Sequence, residues 1–322
     1  MSDYETAAAS ELHSATPGLA GENGAPGQPQ TMEQRPTKVR SAAADAWREL
    51  RRNPIFWIGL VIAVIVFVMA CWPSLFTPNN PTDCQLSRQM GGPSGAAIFG
   101  YNFQGCDVWA HAVYGARNSL LIGAGAALLA GLLAMVIGMV AGFFGGWVDA
   151  IVSRIIDIAL AVPLILGAVV VMKNLPDDQQ NLRILALILI LGFFGWTTAA
   201  RVVRSSVISA KQQDYVAAAR MLGAGNGRIM GRHILPNVLA PFLVIITIAL
   251  GSFIAAEATL SFLGVGLQAP SISWGLDISD ARGHMREDVT PLAVPSVFLA
   301  TTVLAFIMLG DAIREAFDPK MR

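Results

Sequence analysis

Charged residues along this chain gather into clusters, and long uncharged runs lie between them. Arg52 and Asp83 bracket one run, and Arg117 and Asp149 a second. Four more lie between Asp157 and Lys173, Arg183 and Arg201, Arg232 and Glu257, and Asp288 and Asp311. A helix that crosses a bilayer needs about 20 mostly apolar residues, and about 17 at the least. The third run is too short unless it borrows Ile151, Val152, Ile155 and Ile156, which places Arg154 and Asp157 at a helix end. The pattern therefore predicts an all-α integral membrane protein with six spans, near 55–75, 118–144, 151–172, 184–203, 237–256 and 291–310. Ahead of them, residues 41–54 predict an amphipathic lead-in helix. Trp47 and Leu50 share one face, while Arg48, Arg51 and Arg52 reach toward headgroups. Residues 1–40 are rich in Ala, Gly, Pro, Gln and Glu and lack an apolar core, so they read as a disordered tail and not as a cleavable signal.

Composition agrees with a membrane setting. The chain is 54% hydrophobic and 14% charged, where a soluble domain carries about a quarter charged residues. Net charge is zero and names no partner, but its placement orients the chain. If the N-terminus is inside, the segments facing out hold only Arg88, Arg117, Lys173, Arg183, Arg282 and Arg286, and the remaining Lys and Arg face in. The positive-inside rule then expects both termini in the cytoplasm. It also expects an outer loop at 76–117, an inner loop at 204–236 and an outer segment at 258–290. Cys84 and Cys106 fall in the first outer loop, where a disulfide is permitted; free thiols, or a bond to Cys71, are the alternatives. No internal repeat stands out.

The chemistry the sequence excludes is as informative as what it offers. There is no G-x-x-x-x-G-K-[ST] loop to cradle a nucleotide and no G-x-S-x-G nucleophile elbow, so no catalytic residue is expected. His13, His111, His233 and His284 are scattered, so no metal cluster is expected either. A stand-alone proton-coupled carrier would place charges deep in its spans. Here Asp157 reads as an interfacial ion pair with Arg154, and Glu257 and Asp311 read as helix-end residues. The second span is glycine-dense, and Gly138 and Gly142 form a G-x-x-x-G pair that suits close helix packing, either within the chain or against a second subunit.

The inner loop holds the most distinctive run. It reads Asp214-Tyr-Val-Ala-Ala-Ala-Arg-Met-Leu-Gly-Ala-Gly, followed by Arg228-Ile-Met-Gly-Arg-His-Ile-Leu-Pro. A first helix with Val216, Ala219 and Leu222 on its apolar face is expected to stop at Gly223. A second starts at Asn226 and ends near Pro236. Two short helices joined at a glycine can lie in another protein's cleft; the alternative is a plain amphipathic loop on the membrane.

These residues resemble the "EAA" loop of ABC importer permeases, Glu-Ala-Ala-x₃-Gly followed nine residues later by Ile-x-Leu-Pro. Ala218, Ala219, Gly223, Leu235 and Pro236 match at that spacing, with Ala217 in place of the Glu and His233 in place of the Ile. Glu257-Ala-Thr-Leu-Ser-Phe-Leu-Gly-Val-Gly-Leu-Gln-Ala-Pro-Ser-Ile-Ser-Trp-Gly is similar to the signature of the peptide-importer branch, and Tyr114–Leu120 and Gly142–Asp149 match it too. The closest resemblance is to the C-type permease of dipeptide and oligopeptide importers, over residues 50–322. One corner departs. Where that branch has G-T-D-x-x-G-R-D, this chain has Gly100-Tyr-Asn-Phe-Gln-Gly-Cys-Asp.

The resemblance implies a type I ABC importer permease fold and a heterodimer with a B-type permease. It also implies two cytoplasmic ATPase subunits that carry the ATP and Mg, and an extracytoplasmic peptide-binding protein. It implies no cofactor on this chain and no nucleic acid. An ATPase-coupling role falls on Asp214, Tyr215, Ala217, Ala218, Ala219, Leu222, Gly223, Arg228, Leu235 and Pro236. Nickel-chelate and glutathione importers share the motifs.

Overall fold

The computed structural model describes residues 42–176 and 179–317; the expected tail at 1–40 lies outside them. Every regular element among the described residues is helical, apart from one isolated bridge between Tyr101 and Asp107. The lead-in helix α1 spans Ala42–Arg52 and α2 spans Pro54–Cys71. Asn53 separates them: its side chain caps α2 by accepting from the Ile55 N–H, and Pro54 takes a first-turn position where no N–H is needed. On α1, Leu50 packs toward Phe56, Leu309 and Ala312. Trp47 meets the edge of the Phe56 ring but stays half exposed.

The long central helices exceed their predicted bounds. Helix α3 runs Val108–Phe144, and α6 runs Gln180–Lys211. At about 1.5 Å per residue, both are longer than a hydrocarbon core of about 30 Å, so their ends stand outside it. The two helices pack along most of their lengths, and the glycine pair explains how. A Cβ on Gly138 would lie 2.8 Å from Val203 Cβ, and one on Gly142 would lie 2.8 Å from the Arg204 carbonyl oxygen. The pair is therefore occupied inside the chain.

The expected third span is not one helix. It divides into α4, Gly146–Ala161, and α5, Leu164–Met172, with a bend of 72° between them. Pro163 is the cause: its ring disfavours helical backbone at Val162, which is extended at ψ 115°. Five helices are thus long and apolar enough to cross a membrane, or six if the bent pair counts as one.

After α6 come α7, Asp214–Met221, and a single turn α8, Asn226–Arg228. A π-helical stretch at Ile229–Ile234 then runs directly into α9, Leu235–Phe262. The expected break at Pro236 is absent. The Leu235 N–H reaches back five residues to the Met230 carbonyl, and this wider turn accommodates a proline that cannot donate. Helix α10, Trp274–Ala281, and the last helix α11, Thr290–Phe317, complete the bundle. Asp311 lies within α11, exposed.

Candidate functional site

Two constellations stand at opposite ends of the α3–α6 pair. At one end, α7 leaves α6 and lies on the bundle through Val216, which packs in a cluster with Ile229, Ile234, Val238, Val203 and Val207, and Ala219 on the same face is buried too. Asp214, Ala217 and Ala218 sit on its exposed side, with Arg228 and Pro236 also exposed and Leu235 half-buried. Asn237 Nδ2 donates to the Tyr215 hydroxyl at 3.1 Å and ties α7 to α9.

The turn after α7 has a defined form. Gly223 has φ of +80°, its N–H donates to the Arg220 carbonyl at 3.0 Å, and the Ala224 N–H donates to the Ala219 carbonyl at 3.0 Å. This bond pair is a Schellman cap, with glycine where left-handed backbone is required. It corrects the expected placement of Leu222. Leu222 does not share the buried face with Val216 and Ala219, because the cap swings it outward. Leu222 is 88% exposed and Met221 84%.

Ion pairs brace the same end. Arg204 binds the Asp149 carboxylate through Nε and Nη2, the latter at 2.6 Å, and Lys211 Nζ donates to the carbonyls of Gly142 and Phe143. Asp157 pairs more closely with Arg201, at 2.8 Å, than with Arg154, at 4.0 Å. The salt bridge is therefore a tie between α4 and α6 more than a pair within one helix.

At the other end lies the run from Glu257 to Gly275. Glu257 is fully buried inside α9 and is not a helix-end residue. Ser119 donates to its Oε2 at 3.2 Å, and Ser261 and Ser273 donate to its Oε1 at 2.9 and 3.1 Å. The network continues outward. The Ser261 hydroxyl accepts the Leu267 N–H, the Ser119 hydroxyl accepts the Trp274 N–H, and Trp274 Nε1 donates to the Ala112 carbonyl at 2.8 Å. Asn118 Nδ2 donates to the Ile272 carbonyl. Arg183, only 3% exposed, binds the carbonyls of Gly266 and Val265. A chain segment that leaves one spanning helix and re-enters the bundle as α10 thus has its backbone satisfied by side chains from α3, α6 and α9.

The departing corner lies beside it. Asp107 caps α3 by accepting from the N–H groups of Trp109 and Ala110, and Asn79 donates to its other oxygen at 2.6 Å. Gly105 has φ of +75° and sits against the Gln85 carbonyl, where a Cβ would overlap it. Cys84 and Cys106 are joined in a disulfide, and Cys71 is free. His111 bridges two elements: Nδ1 lies 3.0 Å from Asp277 Oδ1, and Nε2 lies 2.9 Å from the Pro81 carbonyl oxygen. Burial and the adjacent Asp277 carboxylate hold the Asp280 carboxyl above the usual carboxylate range. Sequence reasoning treated the histidines as scattered. Yet Cys84, Cys106 and His111 meet here, because the loop folds back over the start of α3.

Such a bundle of long apolar helices, with a polar segment folded back at one end and a projecting apolar cap at the other, has the make-up of a multi-pass membrane protein. The chain belongs to the family described as "Binding-protein-dependent transport system inner membrane component", which matches residues 134–322. The description "N-terminal TM domain of oligopeptide transport permease C" matches residues 41–93. Among curated relatives, the chain is 36% identical to the dipeptide transport system permease protein DppC of Alkalihalophilus pseudofirmus, over 89% of this chain and 94% of that one. It is 35% identical to the oligopeptide transport system permease protein OppC of Bacillus subtilis, over 88% of this chain and 92% of that one. It is 32% identical to the glutathione transport system permease protein GsiD of Escherichia coli, over 89% of this chain and 94% of that one.

Proposed function

We propose that this chain is one of two permease subunits of an importer that carries dipeptides and oligopeptides into the cytoplasm, driven by separate ATPase subunits. Its termini lie in the cytoplasm, and residues 55–322 form the permease domain behind the lead-in at 41–54. A related permease completes the path, and a peptide-binding protein delivers substrate to the α10 end. ATP and Mg stay on the partner ATPases, and this chain binds no cofactor. Relatives named for dipeptide and oligopeptide transport support the substrate class.

The observation that carries the coupling role is the exposed pair Met221 and Leu222, set on a helix that Val216 anchors in the core and whose Ala219 is buried. An apolar tip on a fixed base suits a cleft in an ATPase, and closure of that cleft would move α6 and α9 together. Leu222→Asp in a reconstituted transporter should leave basal ATP hydrolysis in place and reduce peptide uptake at least tenfold. Uptake at the unmodified rate would rule the role out.

The glutathione reading also has an observation in its favour, the relative named for that substrate. Competition between labelled dipeptide and glutathione for uptake into reconstituted vesicles separates the two.

A further inference from the structure

We propose that Cys84, Cys106 and His111 form a site for a thiophilic divalent metal ion of the zinc and cadmium class, opened when the disulfide is reduced. The two sulfurs and a ring nitrogen of His111 all lie within 4.8 Å of one another. They come from three places: the turn after Pro81, the turn before α3 and the first turn of α3. Two thiolates and one imidazole with a fourth position open are a ligand set for zinc, with bonds of about 2.0–2.3 Å. Once the sulfurs are no longer bonded, they are free to move to the separation such bonds require.

His111 is held in the manner of a metal-binding histidine. Its Nδ1 faces the Asp277 carboxylate at 3.0 Å, which leaves Nε2 as the ligand atom. A carboxylate behind a ligating imidazole fixes its tautomer and raises its basicity. Nε2 donates to the Pro81 carbonyl oxygen at 2.9 Å, and that oxygen lies 3.5 Å from Cys84 Sγ, so nitrogen and sulfur face the same atom, and an ion bound between them would take over from it. The second oxygen of that carboxylate, Asp277 Oδ2, is buried with no hydrogen-bond partner among the described residues, a polar atom beside the site left unsatisfied.

Access is asymmetric. Cys84 is exposed and Cys106 is fully buried, so a dithiol reductant attacks at Cys84. The reductant forms a mixed disulfide there and leaves as its own cyclic disulfide. Two electrons and two protons pass to Cys84 and Cys106, which become thiols. On metal binding, each thiol and Nε2 give up a proton. The loop stays tied to α3 in both states, by a covalent bond in one and by a metal ion in the other.

The test uses the full-length chain in detergent, in a Cys71→Ser background that removes the remaining thiol. It is treated with a small dithiol, desalted, and titrated with cadmium ion. The readouts are the thiolate-to-metal charge-transfer absorption and the metal content per chain. Reduced protein should take up one ion per chain with that absorption, and oxidised protein none. Cys84→Ser should abolish the absorption. Asp277→Asn, which keeps all three ligands, should weaken binding by about 10–100-fold. Equal uptake by oxidised and reduced protein, an absorption that survives Cys84→Ser, or no uptake by reduced protein whose melting shows it still folded would each overturn the assignment.

Discussion

Arg183, in the first turn of α6, grips the Gly266 carbonyl through Nε at 3.1 Å and Nη2 at 2.6 Å. A charge at an expected helix boundary thus becomes a buried clamp on a segment far along the chain. Lysine cannot reproduce this fork. Arg183→Lys should lower the melting temperature of the purified protein, and Arg183→Ala should lower it further, at about 1.5–3 kcal/mol per charged hydrogen bond lost. Unchanged melting for both would show that the clamp is not structural.

Glu257 organises three hydroxyls, so its removal leaves Ser119, Ser261 and Ser273 without their shared acceptor. Glu257→Ala should cost about 1–3 kcal/mol for each hydroxyl left unsatisfied. Glu257→Gln keeps one oxygen acceptor and should be milder. Thermal unfolding in detergent ranks the two, and equal melting would contradict the network.

Gly223 has open space around it, with nothing within 4 Å of a built Cβ, so a side chain there meets no wall. The obstacle is its φ of +80°, which costs a branched residue about 1–2 kcal/mol. Gly223→Val should distort the cap, displace Leu222 and separate ATP hydrolysis from uptake. Gly223→Asn, which tolerates that conformation, should stay coupled. Paired hydrolysis and uptake rates decide.

Gly138 and Gly142 make the opposite case, where the wall is everything. Gly142→Val would force a methyl-bearing carbon against the Arg204 carbonyl and Val207. We expect folded yield to fall sharply, as for overpacking of about 1–3 kcal/mol or more. Gly227→Ala, with open space at its Cβ and helical backbone, serves as the control and should fold normally. Size-exclusion profiles after membrane extraction compare them.

The disulfide closes a loop with a sequence separation of 22 residues. Denatured, unreduced chain should accept an alkylating reagent only at Cys71, and reduced chain also at Cys84 and Cys106. Cys84→Ser should destabilise the fold by about 3 kcal/mol, read as a lower melting temperature.

How much of this was written in the sequence depends on range. Hydropathy is additive along the chain, so the spans were legible, and an N-cap such as Asn53 acts within two residues. The 72° bend at Pro163 was less so, because the apolar run gave no sign of whether its proline would be tolerated or would turn the helix. Pro236 misled in the other direction, since a π turn absorbed it. After α7 the glycine stop was legible, but the outward swing of Leu222 was not, because a cap geometry decides it. Glu257, Arg183 and His111 were read as peripheral or scattered. Their partners lie at Ser119, Gly266 and Asp277, at sequence distances where pattern alone carries no signal.

Proline placement divides the long helices into two kinds. Helices α3 and α6 contain none, whereas α9 carries Pro241 and α11 carries Pro295 within its length. Internal prolines remove a backbone bond and allow a helix to bend there. The consequence is mechanical. The α3–α6 pair keeps an unbroken helical backbone from the Lys211 end to the His111 end, with no proline at which to bend. The other two long helices carry their prolines within two turns of their starts, and those are the points where they are free to bend.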